Sequence, residues 1–303
     1  MHNESNSGTP GDAGRFSDLE RPGLDVRALR RALCPPSGPF ARVELVEEIA
    51  STNEQLAGDA SADQAAWPDL SVLTTDYQSA GAGRRGRGWA TPPRSAVLVS
   101  VLLRPGQDGP GWPADAYGWL PLLGGLAAAE ALADVAGLDT GVKWPNDVLV
   151  REGEKKLVGV LARALTIDRG DRNESAVVLG AGINVSLSAA ELPVETATSV
   201  ELAGGSTTDR DTILRAYLRR AAYWYAAMRE TGGDAESAGL AAAVRENTMT
   251  IGRDVVAELP GGERLTGRAR AMDDAGRLVI IDPAGVPTSL AAGDVVHLRA
   301  GDL

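Results

Sequence analysis

Cysteine occurs once in these 303 residues, at Cys34. A single thiol closes no internal disulfide, so the fold cannot rest on cross-links, and a cytoplasmic location is expected. Histidine occurs only twice. His2 lies in a polar stretch, and His297 in the strand-like string Val295-Val296-His297-Leu298. That leaves little material for a Ser-His-Asp triad, a Cys–His pair or a zinc site, and no protein-held metal is expected. The first fifteen residues have no apolar core, which argues against a signal peptide. The longest weakly polar run, Gly118 to Gly137, is interrupted by Pro121, Glu130 and Asp134. It reads as a buried Ala/Gly-rich helix rather than a membrane span, and no membrane partner is expected. The formal net charge of -11 argues against general nucleic-acid binding, which favours a basic face. Lysine is scarce as well: Lys143, Lys155 and Lys156 are the only three among 30 basic residues. Against an arginine-biased background, a retained lysine hints that a compact ammonium is wanted. The hint is stronger for Lys143, inside an apolar and turn-forming string, than for the adjacent pair, which reads equally well as a solvated turn.

What the chain does have is ordinary apolar content, 44%, enough length for two domains, and one unusual loop. Gly81-Ala82-Gly83-Arg84-Arg85-Gly86-Arg87-Gly88-Trp89 packs four glycines and three arginines into nine residues. Glycine lets a backbone adopt positive φ and approach a ligand. Arginine offers a permanently charged fork to phosphate or carboxylate. The composition describes a mobile loop that closes over an anion. Gly81, Gly83 and Gly86 formally satisfy G-x-G-x-x-G, but a dinucleotide fingerprint needs a helix opening at the last glycine. Here Gly86 leads to Thr91-Pro92-Pro93, which cannot open one. No Gly-Lys-Ser/Thr follows, so a Walker A loop is excluded too.

Along the chain, a short helix is predicted near Asp25 to Leu33 after a polar tail. A strand follows at Val43–Ile49, then a capping box at Ser51–Glu54 opening a helix over Asn53–Ala60. Further strands are predicted at Ser71–Thr75, Ala96–Leu103, Leu157–Leu165 and Val177–Val185, with two short ones around Pro145-Asn146-Asp147. Helices are predicted at Ala116–Ala136 and Asp209–Arg229, the latter with an apolar stripe from Ile213 to Met228. Beyond Thr248 the pattern changes to short strands, Asp254–Leu259, Arg264–Met272, Arg277–Ile281 and Asp294–Leu298. A hairpin turn at Asp273-Asp274-Ala275-Gly276 completes this small β domain.

Five strings in order resemble the biotin protein ligases. They are Ser51-Thr52-Asn53; Gln78 with the Gly81–Trp89 loop; Lys143-Trp144-Pro145-Asn146-Asp147; Lys156-Leu157-Val158-Gly159-Val160-Leu161; and Gly180-Ala181-Gly182-Ile183-Asn184-Val185. The likeness runs over roughly residues 43 to 300. Two departures matter. Ala82 stands where the family's loop has an arginine, so that position can contribute only backbone. No winged helix fits before residue 40, which makes this similar to the single-function form.

The resemblance implies an α+β fold, with a mixed-sheet catalytic domain at 41–245 and an SH3-like domain at 246–303, after a tail and short helix at 1–40. It implies activation of biotin by ATP, with Mg²⁺ arriving on ATP, to biotinyl-5'-AMP. Transfer to a lysine of the biotin carboxyl carrier domain of an acyl-CoA or acetyl-CoA carboxylase would follow. It further implies catalytic roles for Lys143 and Arg84. Biotin contacts would come from Ser51, Thr52, Asn53, Gln78, Ala82, Gly83, Arg84, Lys143 and Gly159. ATP contacts would come from Arg84, Arg87, Trp89, Lys143 and Asn184. For several of these a plainer reading stands alongside: helix capping for Ser51–Asn53, tight packing for Gly159, solvation for Arg87. Asp147 either orients Lys143, sits near Mg²⁺ or simply makes a turn. Lipoate ligases share the fold and reaction logic. A non-catalytic biotin-binding regulator, and more remotely a NAD enzyme, complete the alternatives.

Overall fold

Strands buried on both faces, such as Ala96–Leu103, and an Ala-rich helix, Leu120–Ala136, buried over most of its length produce the central layer. The computed structural model describes residues 21–108, 111–168, 170, 173–259, 262–291 and 294–297. Residues 1–20 of the expected tail, His2 among them, and Leu298 lie outside them. In chain order the larger unit comprises α1 (Val26–Leu33), β1 (Arg42–Ile49), α2 (Thr52–Ala62), β2 (Ser71–Gln78), β3 (Ala96–Leu103), α3 (Leu120–Ala136), β4 (Thr140–Lys143), β5 (Asp147–Val150), β6 (Lys155–Asp168), β7 (Asn173–Asn184), α4 (Arg210–Glu230) and α5 (Leu240–Asn247). Its seven strands run in the order β1-β2-β3-β7-β6-β5-β4. The β1–β2 pair is parallel and every other pair is antiparallel.

The two faces of this sheet are covered differently. On one, Val97, Val99, Val101, Val160 and Leu179 join a single core with Leu122, Leu123 and Leu126 of α3 and the stripe of α4. Helix α3 with its preceding turn, Ala114–Ala136, is long and apolar enough to span a bilayer, but 72% of the 18-residue stretch that qualifies it is buried inside the protein. On the other face, α2 covers part of the sheet through Leu56, Ala57 and Ala60 against Leu73, Leu102 and Val178.

The smaller unit is an antiparallel sheet of β8 (Asp254–Glu258), β9 (Arg264–Met272), β10 (Leu278–Ile281), β11 (Pro287–Leu290) and β12 (Asp294–His297), in the order β11-β10-β9-β8-β12. Two buried indoles fasten it to the larger unit. Trp119 Nε1 donates to Asp274 O at 2.8 Å, and Trp144 Nε1 to Gly276 O at 3.0 Å. Both acceptors lie in the Asp273–Gly276 turn that the sequence marks as a hairpin. The turn therefore serves as the docking point as well as the strand connection.

Three expectations need correction. Glu54 does not reach back to cap α2; its carboxylate pairs with Arg163 of β6. Ser51 alone caps, accepting from the Glu54 N–H at 3.5 Å. Helix α5 and strand β11 were not predicted. Strand β6 runs to Asp168 and β7 starts at Asn173, beyond the expected bounds.

Candidate active site

Cross-strand register assembles the site. Lys143 opposes Asp147, Asp147 opposes Gly159, Gly159 opposes Gly182, and Gly182 opposes Leu98. Directly opposed residues share a face, so this row crosses β4, β5, β6, β7 and β3 on the face away from α3. The next row carries Leu161, Gly180, Ser100 and Leu73. Its floor therefore lacks side chains at Gly159, Gly180 and Gly182, where neighbouring groups come down onto the backbone.

Trp89 fills the first gap. A Cβ on Gly182 would lie 2.5 Å from Trp89 Cε2, and one on Gly159 2.7 Å from Cζ3. Only glycine admits the indole this closely. Trp89 Nε1 is buried there with no hydrogen-bond partner. Gly159 thus receives the loop's own tryptophan.

The loop is folded over this floor in an ordered form. Trp89 N–H donates to Gly81 O at 2.8 Å and Gly83 N–H to Arg87 O at 2.6 Å, with a bridge between Ala82 and Gly88. Ala82 and Gly83 accordingly act through backbone. The tip is a 3₁₀ turn, Arg84–Gly86, with Arg85 at φ 57° and Gly86 at φ 73°. Arg84 Nη1 donates to Asn146 Oδ1 at 3.2 Å, and Asn146 Nδ2 donates to Val160 O at 2.6 Å. Asn146 thus joins the loop to β6. Arg85 reaches Glu258 Oε2 at 3.2 Å on the smaller sheet. Arg87 lies exposed on the loop. Arg84, Trp144, Asn146, Val160, Gly276 and Arg277 border a cleft of about 350 Å³ between the two units.

The second gap, at Gly180, holds a buried polar cluster. Thr52 donates its N–H and its hydroxyl to Gln78 Oε1, at 2.8 and 3.0 Å. The Ser100 hydroxyl donates to Asn53 Oδ1 at 2.6 Å and lies 2.7 Å from Thr52 Oγ1. Asn53 Nδ2 donates to Leu161 O at 3.1 Å, and a Cβ on Gly180 would meet Asn53 Oδ1 at 2.2 Å. Donors and acceptors are therefore fixed before any ligand arrives. Ser51 is committed to its cap. Asn184 is buried at the end of β7, its Nδ2 donating to Thr198 O at 2.9 Å, so the side chain is tied to the following loop.

Lys156 is the group that sequence reasoning undervalued. A bulge between Val148 and Leu149 shifts the β5–β6 register there. The Lys156 Nζ lies 2.6 Å from Asp147 Oδ1 and 5.5 Å from the centre of the Trp89 ring. Its Cε is 3.4 Å from where a Gly159 Cβ would be. Asp147 therefore engages Lys156, a partner that none of the three readings of the sequence had named. Lys143 lies two strands from the glycine pair, where its charge is felt by His297. Ser100 was also missed. Its signal was visible: one hydroxyl in the buried run Ala96-Val97-Leu98-Val99-Ser100-Val101-Leu102-Leu103.

Comparison with known proteins fits this geometry. Residues 45–184 match the biotin/lipoate A/B protein ligase family, and residues 250–298 match the biotin protein ligase C terminal domain. The chain is 38% identical to the biotin–[acetyl-CoA-carboxylase] ligase of Mycobacterium tuberculosis, over 93% of this chain and 98% of that protein. It is 32% identical to the protein of the same name from Paracoccus denitrificans, over 69% of this chain and 82% of that one. A solved biotin protein ligase from Aquifex aeolicus, in complex with biotin and ATP, superposes with a TM-score of 0.65 at 26% identity, covering 86% of this chain and all of that one.

Proposed function

This chain belongs to the biotin protein ligase family, and from that membership we propose that it joins biotin to ATP and then to a carrier lysine. In the first step a biotin carboxylate oxygen attacks the α-phosphorus of ATP. Biotinyl-5'-AMP forms and pyrophosphate leaves. In the second, the amine of a lysine on a biotin carboxyl carrier domain of a carboxylase attacks the acyl carbon. The amide forms, AMP leaves with the bonding pair, and the amine loses a proton.

The observation that carries this reading is the loop's fold across the glycine pair, with cations on both sides. Two anions must be brought together, and that repulsion is the main obstacle to catalysis by positioning. Lys156, beside the glycine floor, supplies a point charge where carboxylate and α-phosphate meet. Lys143, farther along the row, screens the outer phosphates. Arg84, held by Asn146, presents its guanidinium to the phosphate side, and Arg87 extends that side toward solvent. Thr52, Asn53, Gln78 and Ser100 offer mixed donors and acceptors suited to a ureido ring, while Trp89 walls the acyl chain. The closed loop keeps water from the mixed anhydride. Asn184 orders the loop beyond β7 at the nucleotide end.

Magnesium enters on ATP as part of the substrate. An ion of that kind keeps several of its waters and takes phosphate ligands in place of a dedicated protein cage. Asp147 is the carboxylate in the row that could touch it.

The test is direct. The protein is incubated with ATP, magnesium and a biotin carrier domain, with biotin or lipoate as the acid. A biotinyl mass gain on one carrier lysine, with one pyrophosphate released per label, is expected. Labelling by lipoate alone, or binding with no carrier labelling, would sink the reading.

A further inference from the structure

The Gly/Arg loop has two ends, and the far end is held by a group outside the site. Strand β2 carries Asp76 two residues before Gln78. The Asp76 side chain is buried, 8% exposed, against Arg210 at the start of α4, itself 5% exposed, with Nη2 to Oδ1 at 2.8 Å. Arg210 Nη1 also donates to Ala96 O at 3.3 Å, where β3 begins. The loop returns to the sheet through Arg94, a non-glycine residue at φ 59°. Its N–H donates to Asp76 O at 2.8 Å and its Nε lies 3.5 Å from Asp76 Oδ2.

A strap from the N-terminal side closes over this pair. Pro22 O accepts from Arg210 Nη2 at 2.7 Å, and Leu24 N–H donates to Asp76 Oδ1 at 3.3 Å. Arg21 ties the strap down, donating to Ser186 O at 2.7 Å and Glu191 Oε2 at 2.6 Å. One carboxylate therefore gathers the strand bearing Gln78, the loop's return, the first residue of α4 and the strap.

We propose that Asp76 is a positioning residue for the ligand site, fixing the return of the Gly/Arg loop against the strand that presents Gln78. Left-handed backbone at a non-glycine residue persists only where its surroundings over-determine it, and here Asp76 supplies both the acceptor and the charge. With Asp76 in place the loop leaves and rejoins the sheet at fixed points, and Trp89 comes down on the glycine pair. The consequence for the reaction rests on the ligase reading above; the consequence for loop order does not.

The experiment compares Asp76→Asn with Glu174→Gln. The latter weakens the fully buried Arg104–Glu174 pair at the far end of the same sheet, and so controls for loss of a buried charge. Limited trypsin digestion without any ligand reads loop order at Arg84, Arg85 and Arg87. Biotin KM and kcat in pyrophosphate release, and dissociation of preformed adenylate, read the site. For Asp76→Asn, nicking in the loop, biotin KM and adenylate release should each rise ~10-fold with kcat less affected, the pattern of lost uniform binding. Glu174→Gln should lower Tm comparably and move none of these. Equal nicking in both variants, or unchanged biotin KM and adenylate release in Asp76→Asn, overturns the proposal even if the protein ligates biotin. Faster nicking in a protein that never releases pyrophosphate would support the positioning role while removing the reading it serves.

Discussion

On the helix side of the seven-stranded sheet, β3 contributes Val97, Val99, Val101 and Leu103 to a continuous core with α3 and α4. On the other side the same strand contributes Leu102 to a patch under α2, Ala96 and Leu98 to one beside Trp89, and Ser100 to the polar cluster with Thr52 and Asn53. Branched side chains on one face fill space against a helix. On the other, glycines at 159, 180 and 182 remove it, and the gaps are taken by an indole and an asparagine amide. The first face keeps the molecule folded, and the second is the face we propose for ligands. Because the strands are shared, a substitution should damage one property or the other according to its parity along the strand.

The sharpest way to break that division is at the lysines of the site face. Lys156→Ala should lower the rate of pyrophosphate release by ~10²–10³, the usual effect of losing one group aimed at developing charge, with Tm little changed. Lys143→Ala should lose less, because it stands farther from the glycine pair. Stopped-flow pyrophosphate detection on the two variants decides the order. Equal rates in Lys156→Ala and the parent would remove Lys156 from the centre.

Leu123→Ala tests the opposite face. This fully buried side chain of α3 should cost ~2–5 kcal/mol on truncation, read by denaturant unfolding, while biotin KM stays constant. A large rise in KM at unchanged stability would show that the two faces are not separable.

A smaller effect is expected at Gly182→Ala, where one methyl is added to the site face. Its Cβ would sit 2.5 Å from Trp89, so the indole must lift. The strain should be about 1–3 kcal/mol, falling on loop closure rather than on the core. Faster escape of the adenylate and a change in tryptophan emission are the readouts; retention equal to the parent would contradict the close approach.

Much of this was legible because chemistry and turns leave strong local marks. The five strings, the stripe of α4 and the Asp273–Gly276 hairpin each sit within a short window. What stayed hidden depends on register, which no window contains. The Gly159–Gly182 pair under Trp89 joins residues from two strands and a loop. Lys156 looked like a solvated turn because its neighbours in sequence, Glu154 and Lys155, are polar; the bulge in β5–β6 brings it beside Asp147. Asn146 read as a turn former, and only the fold shows its amide linking Arg84 to Val160. Helix α5 begins after Gly239, which lies in the left-handed region and has no side chain to cap it, and spans eight residues, so it offered neither a start signal nor enough turns for a pattern. The Glu54 reading failed because a capping box and a strand arginine compete for one carboxylate, and Arg163 is near enough to win.

The mildest prediction asks whether the smaller sheet feels the site. His297 on β12 is buried, with Nε2 3.1 Å from Thr250 Oγ1, which in turn accepts from the Trp144 N–H at 3.0 Å. Burial pushes its pKa below the ordinary histidine value and the Lys143 charge pushes it further, against an opposing pull from Glu154. The folded protein therefore binds the His297 proton more weakly than the unfolded chain does. As pH falls below about 6.5, the unfolded state gains a proton that the folded state resists, and stability declines until the folded-state pKa is passed. His297→Gln should remove that part of the slope, leaving stability near pH 7.5 within ~1 kcal/mol of the parent. Urea unfolding at pH 7.5, 6.5 and 5.5 checks it. Because Lys143 contributes to the shift, Lys143→Ala should flatten the parent's decline in part, and parallel profiles for all three proteins would show that the row of site cations ends short of the smaller sheet.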